Sequence, residues 1–179
     1  MKTVCIVIGH SPSDGGCYNE TLGMNEYDFN VVMAGQIAEK LHRRNVKPVV
    51  LYRDTYNGMI EDVNKTGADF ALELHCNGVS DKGVKGSETL YWSKSVPSKR
   101  LAERLQKPIA ALINQNNRGI KPIEQGGRGW RFLRYTNMPS VILEPFFISN
   151  DDSLEMALTL REQLANTIAT ALVEHVKGS

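Results

Sequence analysis

Apolar and polar positions along this chain follow two alternating periods. Short runs dominated by β-branched and aliphatic side chains recur at residues 4–8, 49–52, 70–74, 89–92 and 141–143. Each ends in Gly, Pro, Asn or a charged or polar residue, the pattern of strands buried within a sheet. Between them the spacing lengthens. Phe29, Met33, Ile37 and Leu41 step by four, with Val32 three beyond Phe29. That is one face of a helix of about five turns, with Asn25 as its N-cap and Glu26 in its first turn. Met59, Ile60 and Val63 predict a short helix before Gly67. Leu101, Leu105, Ile109, Leu112 and Ile113 predict another, which Pro108 should kink or break. Leu154, Ala157, Leu158, Leu164, Ile168 and Leu172 place one long helix after a cap at Asn150 or Asp151.

Residues 13–23 and 114–129 are rich in Gly and Asn and read as loops, the second being the longest candidate for a functional loop. Residues 130–134 fit a short strand. There is no internal repeat, low-complexity tract or linker, so residues 1–179 are expected to form a single domain. Strands alternating with helices predict an α/β fold: a twisted, mainly parallel sheet flanked by helices, with its active site at the carboxyl edge of the strands.

Composition narrows the function. The chain has 179 residues, 41% hydrophobic and 23% charged, ordinary values for a globular domain with a full core. A formal net charge of +1 argues against a nucleic-acid partner. No apolar stretch reaches the roughly 20 residues of a membrane span. The apolar run at the amino terminus is too short for a signal peptide, so a protein kept in the cytoplasm until release, or a domain excised from a larger enzyme, is expected. A monomer is expected. Cys5, Cys17 and Cys76 are odd in number and form no Cys-x-x-Cys pair, which favours a reducing compartment over a disulfide framework.

Chemistry is concentrated at strand ends. His10, His75 and Glu144 each close a predicted strand, and Glu26 opens the helix that follows the first. Two imidazoles and a carboxylate bind zinc in a common catalytic pattern. A second, non-ligating carboxylate can carry the proton from water to a leaving group. Glu144 suits that role, while Glu26, close in sequence to His10, completes the ligand set of His10, Glu26 and His75. Glu73, two residues before His75 and on the same face, is placed to orient its ring. Cys76 points away from His75, so the pair makes a poor nucleophile and base. The bland readings stay open: turn-capping histidines, a helix-start glutamate, and a Glu144 paired with Arg131. So do a metal-free small-ligand protein and, for Trp92 and Trp130, either core packing or sugar stacking.

The segments Ile8-Gly9-His10, Asn25-Glu26, Leu74-His75-Cys76-Asn77 and Glu144-Pro145-Phe146-Phe147-Ile148-Ser149-Asn150, in this order, resemble the zinc-dependent N-acetylmuramoyl-L-alanine amidases of the amidase-3 family. The likeness extends to Tyr52-Arg53-Asp54, Ala68-Asp69 and Arg118-Gly119-Ile120-Lys121. It implies zinc held by His10, Glu26 and His75, with Glu144 as catalytic carboxylate. The implied substrate is peptidoglycan, cut between N-acetylmuramic acid and the L-alanine of the stem peptide. Another zinc peptidase or deacylase, or a cell-wall binding module without turnover, are the alternatives. Where the family has Ser-Ile before the histidine and Ala-Asn after it, this chain has Glu73-Leu74 and Cys76-Asn77.

Overall fold

In a computed structural model of the protein, residues 1–53 and 55–178 are described. Asp54, part of the Tyr52-Arg53-Asp54 segment, lies outside them. The elements run β1 (Thr3–Ile8), β2 (Tyr18–Asn19), β3 (Met24–Asn25), α1 (Glu26–His42), β4 (Lys47–Tyr52), α2 (Tyr56–Lys65) and β5 (Phe70–Leu74). They continue with β6 (Ser87–Trp92), α3 (Val96–Ile113), β7 (Asn117–Ile123), α4 (Trp130–Tyr135), β8 (Ser140–Glu144), α5 (Asp151–Thr159) and α6 (Arg161–Lys177).

Six strands form one sheet in the order β4-β1-β5-β8-β6-β7. The pairs β1/β4, β1/β5, β5/β8 and β6/β7 are parallel, whereas β6 runs antiparallel to β8. The mainly parallel α/β sheet expected from the sequence is therefore present, with two strands reversed. The reversal has a consequence for the site: the start of β6, not its end, lies beside the end of β8, and Glu88 pairs with Glu144 in register.

Alternation of side chains along the strands feeds two cores. Val4, Ile6, Ile8, Phe70, Leu72, Leu74, Val141 and Leu143 pack against α1, α3, α5 and α6. Cys5, Val7, Ala71, Leu90 and Ile142 pack against the shorter α2 and α4, with Met59, Val63, Phe132 and Leu133. Fully buried side chains such as Phe29 and Phe132 contribute roughly 1.5–3 kcal/mol each through burial.

Several expectations are corrected. The segment 114–129 contains β7, an edge strand reading Asn-Arg-Gly-Ile-Lys-Pro-Ile, which an edge position allows to be polar and to carry Pro122. Residues 130–135 form a helical turn, not a strand: Gly129, at φ 62°, turns the chain, and the neighbours Phe132 and Leu133 are both buried. Helix α3 passes through Pro108 unbroken. Pro108 is part-exposed on a groove, where the carbonyl that loses its partner can meet water. The single long carboxyl-terminal helix is two, parted at Leu160. The loop after His10 holds the small β2/β3 hairpin.

Candidate metal centre and catalytic rim

The carboxyl edge of β1, β5 and β8 is extended by loop hydrogen bonds that fix the residues beyond the strands. Gly9 donates to the Leu74 carbonyl (2.9 Å), His75 to Leu143 (3.0 Å), Asn77 to Phe146 (2.9 Å) and Ile148 to the Asn77 carbonyl (2.8 Å). His10 follows β1 at φ 65°, a left-handed conformation seldom taken by a residue other than glycine, Asn or Asp. Its Nδ1 lies 3.2 Å from Asp14 Oδ2, which also accepts from Arg53 Nη2 at 3.3 Å. Its Nε2 faces Glu26 Oε2 at 3.3 Å.

Glu26 is held at the first turn of α1, capped by the Asn25 side chain, and is 3% exposed. Its Oε1 accepts from the Cys76 amide (2.8 Å) and faces His75 Nδ1 (2.7 Å), while Oε2 accepts from the Cys17 amide (3.2 Å). Burial opposes its ionisation, yet the hydrogen bonds and charges of His10 and His75 prevail and hold its pKa down at about 2. Burial also opposes the charged form of His75, but the nearby charge of Glu73 and the bond to Glu26 push its pKa well up. The cluster thus favours positive charge between its donor atoms. One donor atom each from His10, Glu26 and His75 lies within 4.8 Å of the others, a spacing that suits a shared metal ion.

Two glycines leave room for this set. A Cβ on Gly9 would lie 2.5 Å from both the Leu74 carbonyl oxygen and His75 Cε1. One on Gly16, at φ 73°, would lie 2.6 Å from His10 Cδ2 and 2.7 Å from Glu26 Oε2.

Glu144 ends β8 and is 8% exposed. Burial, aided by the charges of Glu26 and Glu88, raises its pKa to about 7 against the opposing His75 and Arg128. Its Oε2 is buried without a hydrogen-bond partner among the described residues, and so are both oxygens of Glu73. Glu73 Oε1 does approach His75 Nε2 at 3.2 Å, on the side of the ring away from Glu26. Glu73, His75 and Glu144 share a cavity of about 290 Å³ with Arg53, Tyr56 and Arg128. All four residues singled out from the sequence therefore lie on one rim, three clustered and Glu144 beside them.

The sequence model of the family described as N-acetylmuramoyl-L-alanine amidase matches residues 4–174. The chain belongs to the amidase-3 family. Among amidase-3 relatives, LytC of Bacillus subtilis, an N-acetylmuramoyl-L-alanine amidase, is 30% identical over 98% of this chain and 36% of its own length. The endolysin of Bacillus phage SPP1 is 27% identical over 98% of this chain and 65% of its own. The chain thus spans between about a third and two thirds of these two relatives. A crystal structure of an N-acetylmuramoyl-L-alanine amidase from Clostridium difficile 630 superposes with a TM-score of 0.91 at 25% identity, covering 99% of this chain and 98% of that one.

Of the groups that surround the amidase-3 rim, Asp14, Glu88 and Arg128 were missed in the sequence, whereas Arg53, Asn77 and Arg118 stood in segments that carry the family likeness. Asp14 and Arg53 sit behind His10, and Glu88 with Arg118, Arg128 and Asn77 sits behind Glu144. The signal available was Glu88 itself, a charge in an otherwise buried strand. Cys76 is buried, and burial pushes its thiol pKa well up, leaving it no nucleophilic role. Trp92 is a core residue of the α2/α4 side, 9% exposed, with Arg134 over its ring.

Proposed function

We propose that this chain is a single catalytic domain that hydrolyses peptidoglycan as a zinc-dependent N-acetylmuramoyl-L-alanine amidase. The observation that carries the reading is the convergence of His10, Glu26 and His75 beside a buried Glu144, in a chain of this family. His10, Glu26 and His75 would hold the ion. A zinc ion there supplies Lewis acidity toward the amide carbonyl and acidifies water to near neutrality.

The chain's own residues account for the remainder. Asp14 engages Nδ1 of His10 and leaves Nε2 for the cluster; Glu73 lies against Nε2 of His75 and leaves Nδ1. The two rings are thereby held in fixed orientations. Glu26, with its pKa near 2, stays ionised throughout the neutral range. Glu144, with a pKa of about 7, can take a proton from attacking water and return it to the amine of L-alanine as that group leaves. The setting that fits is the catalytic domain of an endolysin or cell-wall enzyme, acting as a monomer.

Mass spectrometry of cell wall digested by the zinc-loaded protein tests the reading. New L-alanine amino termini and peptide-free glycan are expected. Cuts elsewhere in the stem peptide indicate a peptidase instead, and wall that binds the protein but stays uncut indicates a binding module. Glu144→Gln should retain zinc and lose about 10²–10⁴-fold in turnover.

A further inference from the structure

The cavity beside Glu144 is bordered by two guanidinium groups from distant segments, Arg53 at the end of β4 and Arg128 in the turn before α4. They are held in different ways. Arg53, with 14% of its side chain exposed, bonds Asp14 and lies over the Tyr56 ring at 5.7 Å. Arg128, 54% exposed, donates from Nη2 to Glu88 Oε1 and from Nη1 to Asn77 Oδ1 (3.4 Å). Glu88 is 1% exposed, and its other oxygen accepts from Arg118 Nε at 2.8 Å.

One buried carboxylate therefore serves two arginines, and one positive charge is left over. Arg118 turns its guanidinium over the Phe147 ring at 5.0 Å. Arg128 is the one of the pair that borders the cavity. The acids facing it there are Glu144, whose Oε1 is 3.7 Å from Arg128 Nη1, and Glu73, which lies against His75. At 3.7 Å this contact is longer than a hydrogen bond, and Glu144 is engaged in the proton transfer, so it is a poor standing counter-ion for Arg128.

Direction follows from the proton path. Glu144 serves the departing amine of L-alanine, so the peptide side of the scissile bond lies next to it, and the residue after L-alanine is directed into this cavity. A guanidinium fork binds a carboxylate by two parallel hydrogen bonds, which a carboxamide cannot match. We propose that Arg128, with Arg53, forms a subsite for a free carboxylate on the stem-peptide residue that follows L-alanine, and that the protein selects this form over the carboxamide. The proposal rests on the amidase reading.

Two soluble muramoyl peptides, differing only in carboxylate or carboxamide at that residue, test it with the zinc-loaded full chain. The wild type should prefer the carboxylate by about tenfold or more in kcat/KM, the worth of a charge-assisted hydrogen bond. Arg128→Gln should bring the ratio towards one, chiefly by slowing the carboxylate substrate, and Arg128→Lys should keep part of it. Equal losses on both substrates would show that Arg128 only supports the fold, overturning the proposal. So would a wild type without preference, which leaves the amidase reading intact. A wild type that cuts neither peptide overturns both.

Discussion

The two faces of the sheet bury their residues by different means. One is covered by α1, α3 and α6, helices of 17, 18 and 17 residues, and its strand positions are almost wholly aliphatic or aromatic. Among the described residues the other carries only α2 and α4, of 10 and 6 residues. By alternation, that thin face also receives Glu73, Glu88 and Glu144, three carboxylates standing in strands, all at most 8% exposed. Cavity size runs the other way. The larger space, about 880 Å³, lies between α3 and the end of α6 and is lined by Arg100, Arg104, Lys107 and Glu174. Its charged groups are largely exposed and find partners, Lys2 with Asp69 at 2.8 Å and Arg104 with Glu174 at 3.5 Å. Buried carboxylate oxygens without partners are found instead in the smaller cavity of the thin face. Unpaired buried carboxylates, not volume, distinguish the reactive side.

Three tests put that contrast under strain. The effect closest to the metal is expected from Gly9→Ala, because the added Cβ meets a backbone carbonyl and the His75 ring at 2.5 Å and the ladder around Gly9 cannot yield. Zinc affinity should fall about 10–100-fold, read by competition with a chelator, with activity falling alongside. Unaltered affinity would mean that the rim is not fitted to a metal.

A second test compares Glu144→Gln with the wild type in metal-free form. Glu144 has a folded pKa of about 7, above the ordinary 4.5 of an exposed glutamate. Its contribution to stability is therefore fully present below pH 4.5 and is lost as pH rises through 7. Gln does not titrate, so urea unfolding should show the variant gaining on the wild type between pH 5 and 8, by about 3 kcal/mol at most. A difference independent of pH would remove the burial of charge on this face. The smallest effect belongs to the helical side: Arg104→Ala or Lys107→Ala in the large groove should alter wall hydrolysis by no more than about twofold. A marked loss there would erase the distinction between the faces.

His10, Glu26, His75 and Glu144 were legible in the sequence because each closes an apolar run or opens a capped helix, and the sheet order then brings them together. Glu88 was not, since a strand's direction cannot be read from its composition and Glu88 reaches the rim only because β6 is reversed. Arg128 was hidden for another reason: its position depends on how the turn at residues 124–129 climbs back across the sheet. Strand β7 and helix α4 were misread where edge exposure permits polar residues and where the six residues Trp-Arg-Phe-Leu-Arg-Tyr fit either period. The break at Leu160 has no Gly or Pro to announce it.

The reversal of β6 also bears on how such a protein can diversify. Because β5 ends and β6 begins at the same edge, the chain from Gly78 to Gly86 leaves the sheet and rejoins it without crossing a face. It is tied down by few contacts, among them the Lys82 carbonyl to Asn150 and Lys85 to Asp152. Residues can be gained or lost there at small entropic cost and without repacking either core. The loop begins three residues after His75 and ends two before Glu88, so such changes act on what flanks the rim while the residues that perform the chemistry keep their places.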